Sequence, residues 1–225
     1  MQLDAERSNY VCKALRKIEG DAIDVFNGLG SLFRCRLIKA HTRRAQIKVI
    51  EHILTQPQPE QAPCVAIAML KGQAMDRAIQ QATELGAKDI WLINAERSNV
   101  ALKSDRLSQK MAHWRRIVDS ACEQCGQLWL PTLKAPVTAD ECLNQQIKID
   151  GFVVFDPDGE PMPSALTMQN PLIFIGPEGG WSEVERAVFA TAGAAVFCFG
   201  NTILRAETMP AVGIALVQQA RGWPS

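Results

Sequence analysis

The stretch Leu172-Ile-Phe-Ile-Gly-Pro-Glu-Gly-Gly-Trp-Ser-Glu-Val-Glu185 decides the fold class of this chain. Its four leading apolar residues predict a buried strand, and the glycines that follow predict a tight loop. Ser182 and Glu185 have the spacing of a capping box, so a helix is expected to begin there. This order places bare backbone amides at the carboxyl end of a strand, where open α/β sheets bind ligands. The loop lacks the motifs of the common phosphate-binding loops, Gly-Lys-Ser/Thr and G-x-G-x-x-G.

The chain around this loop alternates strands with helices, which indicates a parallel sheet and an α/β fold. Continuously apolar runs predict strands that are covered on both faces. The predicted strands are 64–70, 90–93, 151–155, 172–175 and 196–199, and the predicted helices besides the capped one are 73–85, 104–125, 138–144 and 209–220.

A separate β-rich module is predicted at the N-terminus. A short helix is expected within residues 4–18, followed by strands at 22–26, 31–39 and 45–53. The polar, proline-containing segment 55–63 has the composition of a linker. We therefore expect one domain at 1–56 and a second at 63–225.

The charge of the chain is distributed unevenly. Its 24 Lys/Arg balance its 24 Asp/Glu, but residues 1–54 hold 10 of the basic and only 6 of the acidic residues. Two interpretations of this excess stay open, solvated strand faces or an electrostatic platform for nucleic-acid phosphates. The basic residues clustered in this region are Arg34, Arg36, Lys39, Arg43, Arg44 and Lys48.

The composition favours a cytoplasmic protein without a metal site. No apolar run is long enough to span a bilayer, and the first residues lack the features of a signal peptide. The seven cysteines are scattered and odd in number, which favours reduced thiols. Cys122-Glu-Gln-Cys125 has no second pair that would complete a zinc site. It also lies late in a predicted helix, whereas a redox pair lies at the start of one.

A second strand-end loop, Gly200-Asn-Thr-Ile-Leu-Arg-Ala-Glu-Thr208, carries Arg205 and Glu207. The blocks IGPEGGWSEVE and GNTILRAET together resemble the RsmE family of ribosomal RNA methyltransferases, within the knotted SPOUT superfamily. Weaker matches are ALRKIEGD, IQQATELGAKDIWLINAERS and ACEQCG. The resemblance covers nearly the whole chain.

The resemblance implies a fold and a function. It implies a SPOUT-type α/β domain with a C-terminal trefoil knot, preceded by a small PUA-like β-barrel, and a homodimer formed through the last helix. The implied activity is transfer of a methyl group from S-adenosylmethionine to N3 of a uridine in 16S ribosomal RNA of the small subunit. The family usually carries basic residues where Gln81, Gln127 and Thr202 stand. Two alternatives stay open: a methyltransferase for another RNA or base position, and an RNA-binding ribosome-assembly factor without turnover.

The resemblance also implies site residues. Arg205 would stabilise the uracil anion that forms when N3 loses its proton, although a structural salt bridge is an alternative. Glu207 could accept that proton, orient Arg205 or cap the last helix. The expected cofactor-binding residues are Phe155, Ile175, Gly176, Pro177, Glu178, Gly179, Gly180, Phe199, Gly200, Asn201, Ile203 and Leu204. The expected RNA-binding residues, which could instead be ordinary solvated charges, are Arg16, Arg34, Arg36, Lys71 and Arg97.

Overall fold

The computed structural model describes residues 1–98, 100, 104–145, 149–200 and 202–222. The chain divides into two compact units, Met1–Gln58 and Pro59–Ser225. Among the described residues, no helix combines the length and the apolar character needed to cross a membrane.

The N-terminal unit is a small antiparallel sheet with a helical segment. Helix α1 (Ala5–Asn9) begins at Asp4, whose carboxylate accepts a hydrogen bond from the backbone N–H of Arg7 at 2.8 Å. A π-helical turn, Tyr10–Ala14, continues it, so the predicted helix is shorter and less regular than expected. The strands β1 (Ala22–Phe26), β2 (Ser31–Lys39) and β3 (Gln46–Thr55) pair in the order β1-β2-β3.

A small apolar core and one buried hydroxyl hold this unit together. Ser8 is fully buried, and its hydroxyl donates to the carbonyl of Leu3 and accepts from the N–H of Ala45. The hydroxyl thus provides a hydrogen-bond partner for the carbonyl of Leu3 and for the N–H of Ala45, as buried polar groups require. These two bonds connect the helix to the start of β3. The buried apolar residues are Leu3, Val11, Ile23, Cys35, Leu37, Ala45 and Ile47.

The C-terminal unit is a six-stranded parallel sheet with helices, which confirms the predicted α/β class. The strand order is β6-β5-β4-β8-β7-β9. The two-residue strand β6 was not predicted, because it is too short to carry a periodic pattern. The elements are β4 (Cys64–Ala68), α2 (Gln73–Glu84), β5 (Asp89–Ile93), α3 (Ser104–Cys125), β6 (Thr132–Leu133), α4 (Ala139–Leu143), β7 (Gly151–Pro161), β8 (Pro171–Ile175), α5 (Glu183–Thr191), β9 (Ala195–Cys198) and α6 (Met209–Ala220).

Helices cover both faces of the sheet. Helix α2 packs against α3 and α6, and α6 also contacts β4 and β8, while α4 contacts α5 and β5. All residues of β4 and β8 are buried, as expected of central strands. Beside β8, Phe174, Trp181 and Phe189 form edge contacts, with ring centroids 4.9 Å apart for both pairs that include Phe189. Such aromatic clusters combine large buried area with a fixed geometry.

Strand β7 continues past its predicted end. Phe155 pairs with Phe197, and after an interruption Glu160 pairs with the same residue, so residues 156–159 bulge out of the ladder. The bulge closes tightly at Gly159, where a Cβ atom would lie 2.7 Å from the carbonyl carbon of Phe197. Such a distance leaves no room for a side chain, which explains a glycine at this position.

Helix α6 approaches β7 closely at another glycine. A Cβ atom on Gly213 would lie 2.9 Å from Cε2 of Phe155, whose ring is buried. We expect Gly213→Val to lower the free energy of unfolding by about 1–3 kcal/mol, because the added methyl groups overpack the site. Chemical denaturation measures this change. Gln219→Val is the matched control, since Gln219 lies on an exposed position of the same helix. An equal loss in both variants would contradict the close packing.

Candidate functional site

A cavity of about 310 Å³ lies among three loops, namely the bulge within β7 and the loops at the carboxyl ends of β8 and β9. The loops belong to neighbouring strands of one parallel sheet, so the sheet itself brings them together. This volume is at the lower end of the range typical of small-molecule sites. The lining residues are Phe155, Asp156, Pro157, Ile175, Gly176, Pro177, Glu178, Gly180, Trp181, Phe197, Cys198, Phe199, Gly200, Thr202, Ile203, Leu204, Ala206 and Met209.

The glycine loop presents backbone to this cavity. Gly180 has φ +68°, a conformation that side chains disfavour, and a Cβ atom there would meet no atom within 4 Å. Gly176 has a different function, because a Cβ atom there would lie 3.1 Å from Nε1 of Trp181. Gly180 therefore allows a backbone conformation that other residues disfavour, and Gly176 allows the loop to pack closely on the indole ring of Trp181.

Hydrogen bonds of Trp181 and Glu185 hold the glycine loop in place. The indole Nε1 of Trp181 donates to the carbonyl of Phe155 at 3.3 Å, which joins β7, just before its bulge, to the loop after β8. The buried carboxylate of Glu185 accepts from the N–H groups of Ser182 at 2.8 Å and Glu96 at 3.1 Å. The capping box predicted for Ser182 and Glu185 is confirmed, and the same carboxylate also holds the loop after β5.

The predicted cofactor-binding residues mostly lie in the cavity wall. Those that line it are Phe155, Ile175, Gly176, Pro177, Glu178, Gly180, Phe199, Gly200, Ile203 and Leu204. Gly179 does not line it, and a Cβ atom there would contact Arg97 at 3.1 Å instead. Asn201 lies outside the described residues.

Several lining residues were missed at the level of sequence. Trp181 follows the glycine loop directly, so its position was an available signal. Pro157 lies in the Asp-Pro-Asp-Gly turn signal after the predicted end of β7, a second available clue. The other lining residues without a prediction are Asp156, Phe197, Cys198, Thr202, Ala206 and Met209.

Arg205 and Glu207 lie beside the cavity without lining it. Arg205 exposes 86% of its side chain, and its Nη1 lies 3.9 Å from Oε1 of Glu207, which exposes 17%. Arg205 stands between Leu204 and Ala206, which both line the cavity. The N-cap of α6 is Thr208, so Glu207 does not occupy the capping position. This geometry favours the orienting interpretation of Glu207 over the capping one.

The five predicted RNA-binding residues differ in the contacts that their charged groups make. Arg34 forms a two-pronged ion pair with Asp24, at 2.8 and 3.0 Å, and this contact lowers the pKa of Asp24. Arg97 donates to the carbonyl of Gly179 at 3.3 Å, so it contacts the glycine loop. Arg16, Arg36 and Lys71 are exposed.

Three of the cysteines, Cys64, Cys122 and Cys142, show the features of buried structural thiols. Burial raises the pKa of Cys122 to about 12, and Cys122 lies in the C-x-x-C pair near the end of α3. Burial also raises the pKa values of Cys64 to about 11 and Cys142 to about 12. Such thiols are poor nucleophiles and poor metal ligands, since both functions need the thiolate. Among the described residues, no three His, Cys, Asp or Glu side chains are grouped so that they could hold a metal ion.

Two models of known protein families match the chain. The model of an RNA methyltransferase PUA domain matches residues 3–50, and the model of an RNA methyltransferase domain matches residues 57–218. The second match spans most of the chain and includes all three loops of the cavity. Fold, cavity and matches together define the class of this protein, an RNA methyltransferase.

Curated relatives narrow this class. A ribosomal RNA small subunit methyltransferase E from Synechocystis is 30% identical over 222 residues, covering 96% of this chain and 71% of the relative. The protein of the same name from Buchnera aphidicola (Acyrthosiphon pisum) is 27% identical, covering 98% and 88%. The chain belongs to the ribosomal RNA small subunit methyltransferase E family, which confirms the resemblance.

Solved structures share the fold over nearly the whole chain. A methyltransferase from Legionella pneumophila, solved with bound S-adenosylmethionine, has a TM-score of 0.90 at 25% identity and covers 98% of this chain and 92% of its own. A ribosomal RNA small subunit methyltransferase E from Neisseria gonorrhoeae, also bound to S-adenosylmethionine, has a TM-score of 0.86 at 26% identity, with the same coverage.

Arg16 is held in a conformation that favours glycine. Its φ is +52°, at the end of the N-terminal helical segment, where the N–H of Lys17 donates to the carbonyl of Val11. We expect Arg16→Gly to raise the free energy of unfolding by about 0.5–1 kcal/mol, because the strain disappears. We also expect it to weaken binding of small-subunit ribosomal RNA, because a cation is lost.

Arg16→Ala separates the two effects, since it removes the charge but retains a side chain at positive φ. Thermal or chemical unfolding and filter binding of the RNA measure them in parallel. Wild-type RNA affinity in both variants would remove Arg16 from the RNA-binding surface. Equal stability of the glycine and alanine variants would contradict the strain.

Proposed function

We propose that this protein transfers a methyl group from S-adenosylmethionine to N3 of a uridine in the 16S ribosomal RNA of the small subunit. The observation that carries this proposal is the cavity among the three loops, in a chain of the ribosomal RNA small subunit methyltransferase E family. Two structural relatives of more than 90% mutual coverage were solved with S-adenosylmethionine. The choice of uridine N3 rests on the resemblance of the two loop motifs to this family.

The cavity suits the chemistry of the cofactor, which supplies an electrophilic methyl group on a cationic sulfur. Apolar side chains such as Phe155, Ile175 and Leu204 can cover the adenosine, and backbone at Gly180 can approach closely and donate hydrogen bonds. The exposed carboxylate of Glu178 adds negative charge to the wall. The chain thus offers shape, backbone donors and charge, and in-line positioning is the main demand of methyl transfer.

We assign Arg205 the stabilisation of the deprotonated uracil. Uridine N3 is a poor nucleophile until its proton leaves, and a cation near the uracil carbonyls stabilises the anion that remains. Arg205 supports this assignment because it is exposed at the rim while its neighbours Leu204 and Ala206 line the cavity. Glu207, the less exposed partner, orients the guanidinium. N3 lies on the Watson–Crick edge, so the target base must be unpaired or extruded.

Finer features of the fold are part of this proposal. We infer a trefoil knot in the last segment, since the chain returns after β9 and its helix α6 packs on β4, β8 and α2. An experimental trace of residues 176–222 tests it. We infer a closed barrel in the N-terminal unit, since the first residues bridge to β3 at Gln2 and Gln46.

We also propose a homodimer in the cytoplasm. On α6 the apolar side chains of Val212 and Leu216 are only half-buried, which favours a second copy as their cover. A monomer mass by light scattering at micromolar concentration would exclude the dimer. A cytoplasmic location follows from the ribosomal substrate and agrees with seven free cysteines. Fractionation of cells that express the protein tests the location.

The decisive experiment is single-turnover methylation of small ribosomal subunits from a strain that lacks the gene, with 3-methyluridine quantified by mass spectrometry. We expect Arg205→Ala to slow methyl transfer by about 10²–10³-fold at saturating cofactor. Arg205→Lys should recover part of the rate, because an ammonium lacks the guanidinium fork. Absence of 3-methyluridine with the wild-type protein refutes the proposed reaction. Near-wild-type turnover by Arg205→Ala refutes the role of Arg205 alone.

Cys198 allows the cofactor site to be tested without turnover. Cys198 is half-buried and lines the cavity, whereas Cys12 is half-buried in the other unit and serves as an internal reference. We expect saturating S-adenosylmethionine to slow alkylation of Cys198 at least about tenfold and to leave Cys12 unchanged, because bound ligand shields the wall. Peptide mass spectrometry after timed labelling measures both rates. Equal rates at Cys198 with and without cofactor would contradict the location of the site.

A further inference from the structure

The bulge at residues 156–159 forms one wall of the cavity and lies outside the regular ladder between β7 and β9. Asp156 and Pro157 line the cavity. The ladder to β9 is interrupted over these residues, since Phe155 and Glu160 both pair with Phe197. The position of this wall therefore also depends on contacts other than the hydrogen bonds of the ladder.

Arg186 supplies such contacts from helix α5. Its Nη2 donates to Oδ1 of Asp156 at 3.0 Å, and its Nη1 donates to Oδ2 of Asp158 at 2.7 Å. The N–H of Asp158 donates to the same Oδ1 of Asp156 at 3.0 Å. One guanidinium thus bridges both carboxylates of the bulge, a geometry that a point charge cannot reproduce.

The two ion pairs of Arg186 differ in the burial of their carboxylates. Asp156 exposes 3% of its side chain and Asp158 exposes 74%, while Arg186 exposes 34%. An ion pair with an exposed carboxylate contributes little to stability. Within the described part of the chain, Oδ2 of Asp156 and Nε of Arg186 are buried without a hydrogen-bond partner. The arrangement is thus poorly explained as a device for stability alone, because buried polar atoms without partners cost free energy.

Helix α5 is the helix that follows the glycine loop directly, beginning at its N-cap Ser182. A bond from Arg186 to the bulge therefore fixes the distance between two of the three loops of the cavity. We infer that Arg186 is a positioning residue that sets the width of the cofactor cavity and thereby the affinity for S-adenosylmethionine. This inference rests on the proposed function of the cavity.

Calorimetric titration of S-adenosylmethionine into the full-length protein tests the inference. For Arg186→Ala we expect the Kd to rise about tenfold, which corresponds to about 1.4 kcal/mol. In methylation assays we expect the KM for the cofactor to rise, while kcat at saturating cofactor and the KM for ribosomal subunits stay within about twofold. A merely structural loss would lower the folded fraction and reduce kcat without raising the KM for the cofactor.

Arg7→Ala is the matched control. Arg7 forms an ion pair of 2.6 Å with exposed Asp4, and both residues belong to the N-terminal unit, so the Arg7→Ala variant tests the loss of an Arg–Asp pair that is not part of the C-terminal unit. We expect its Kd for S-adenosylmethionine to equal that of the wild type. A rise equal to that of Arg186→Ala would overturn the inference.

A second variant tests the inference in case Arg186→Ala does not fold. Arg186→Ala leaves the Asp156 charge buried without its partner, which can unfold a protein. The double variant Asp156→Asn with Arg186→Gln removes both charges together, and the same rise in Kd is expected. A folded variant, judged by circular dichroism, that binds the cofactor within twofold of the wild type overturns the inference. Wild-type protein that does not bind S-adenosylmethionine instead refutes the proposed function, so the two failures are distinct.

Discussion

The site depends on one buried carboxylate at the first turn of α5. Glu185 is only 6% exposed, and such a carboxylate is tolerated only if hydrogen bonds replace its hydration. The donors are the backbone N–H groups of Ser182 and Glu96, which lie after different strands. The bonds that satisfy the carboxylate therefore also join two loops. These bonds hold the N-terminus of α5, and with it the end of the glycine loop, in place.

Close packing also holds other parts of the cavity wall in place. Trp181 is buried against Phe174 and Phe189 and still donates its indole N–H to the carbonyl of Phe155. The ring of Phe155 in turn meets the backbone of α6 at Gly213. Phe155 is thus held by a hydrogen bond on one side and by van der Waals contact on the other. A cavity wall made of such residues is shaped before any ligand arrives, which lowers the cost of binding.

The sequence predicted most of the parallel sheet from local signals, and the resemblance to the family supplied Phe155 and the residues of the other two loops as the cofactor site. Apolar runs such as 172–175 and the Ser182–Glu185 spacing mark a strand and a capped helix wherever they occur. The bulge at 156–159 could not be predicted in the same way. Its Asp-Pro-Asp-Gly segment is a turn signal, but pairing of Glu160 with Phe197 after the turn depends on a distant strand. Contacts of Arg186 likewise require knowing which loop lies beside α5.

The ion pair between Arg34 and Asp24 reduces the number of unpaired positive charges in the N-terminal unit. Binding of a basic surface to RNA is driven largely by release of the counterions that surround the phosphates. An arginine that already has a carboxylate at 2.8 and 3.0 Å brings no net positive charge to that exchange. The Arg34–Asp24 pair therefore contributes no net charge, and the basic cluster is a weaker polyelectrolyte than the number of its basic residues indicates.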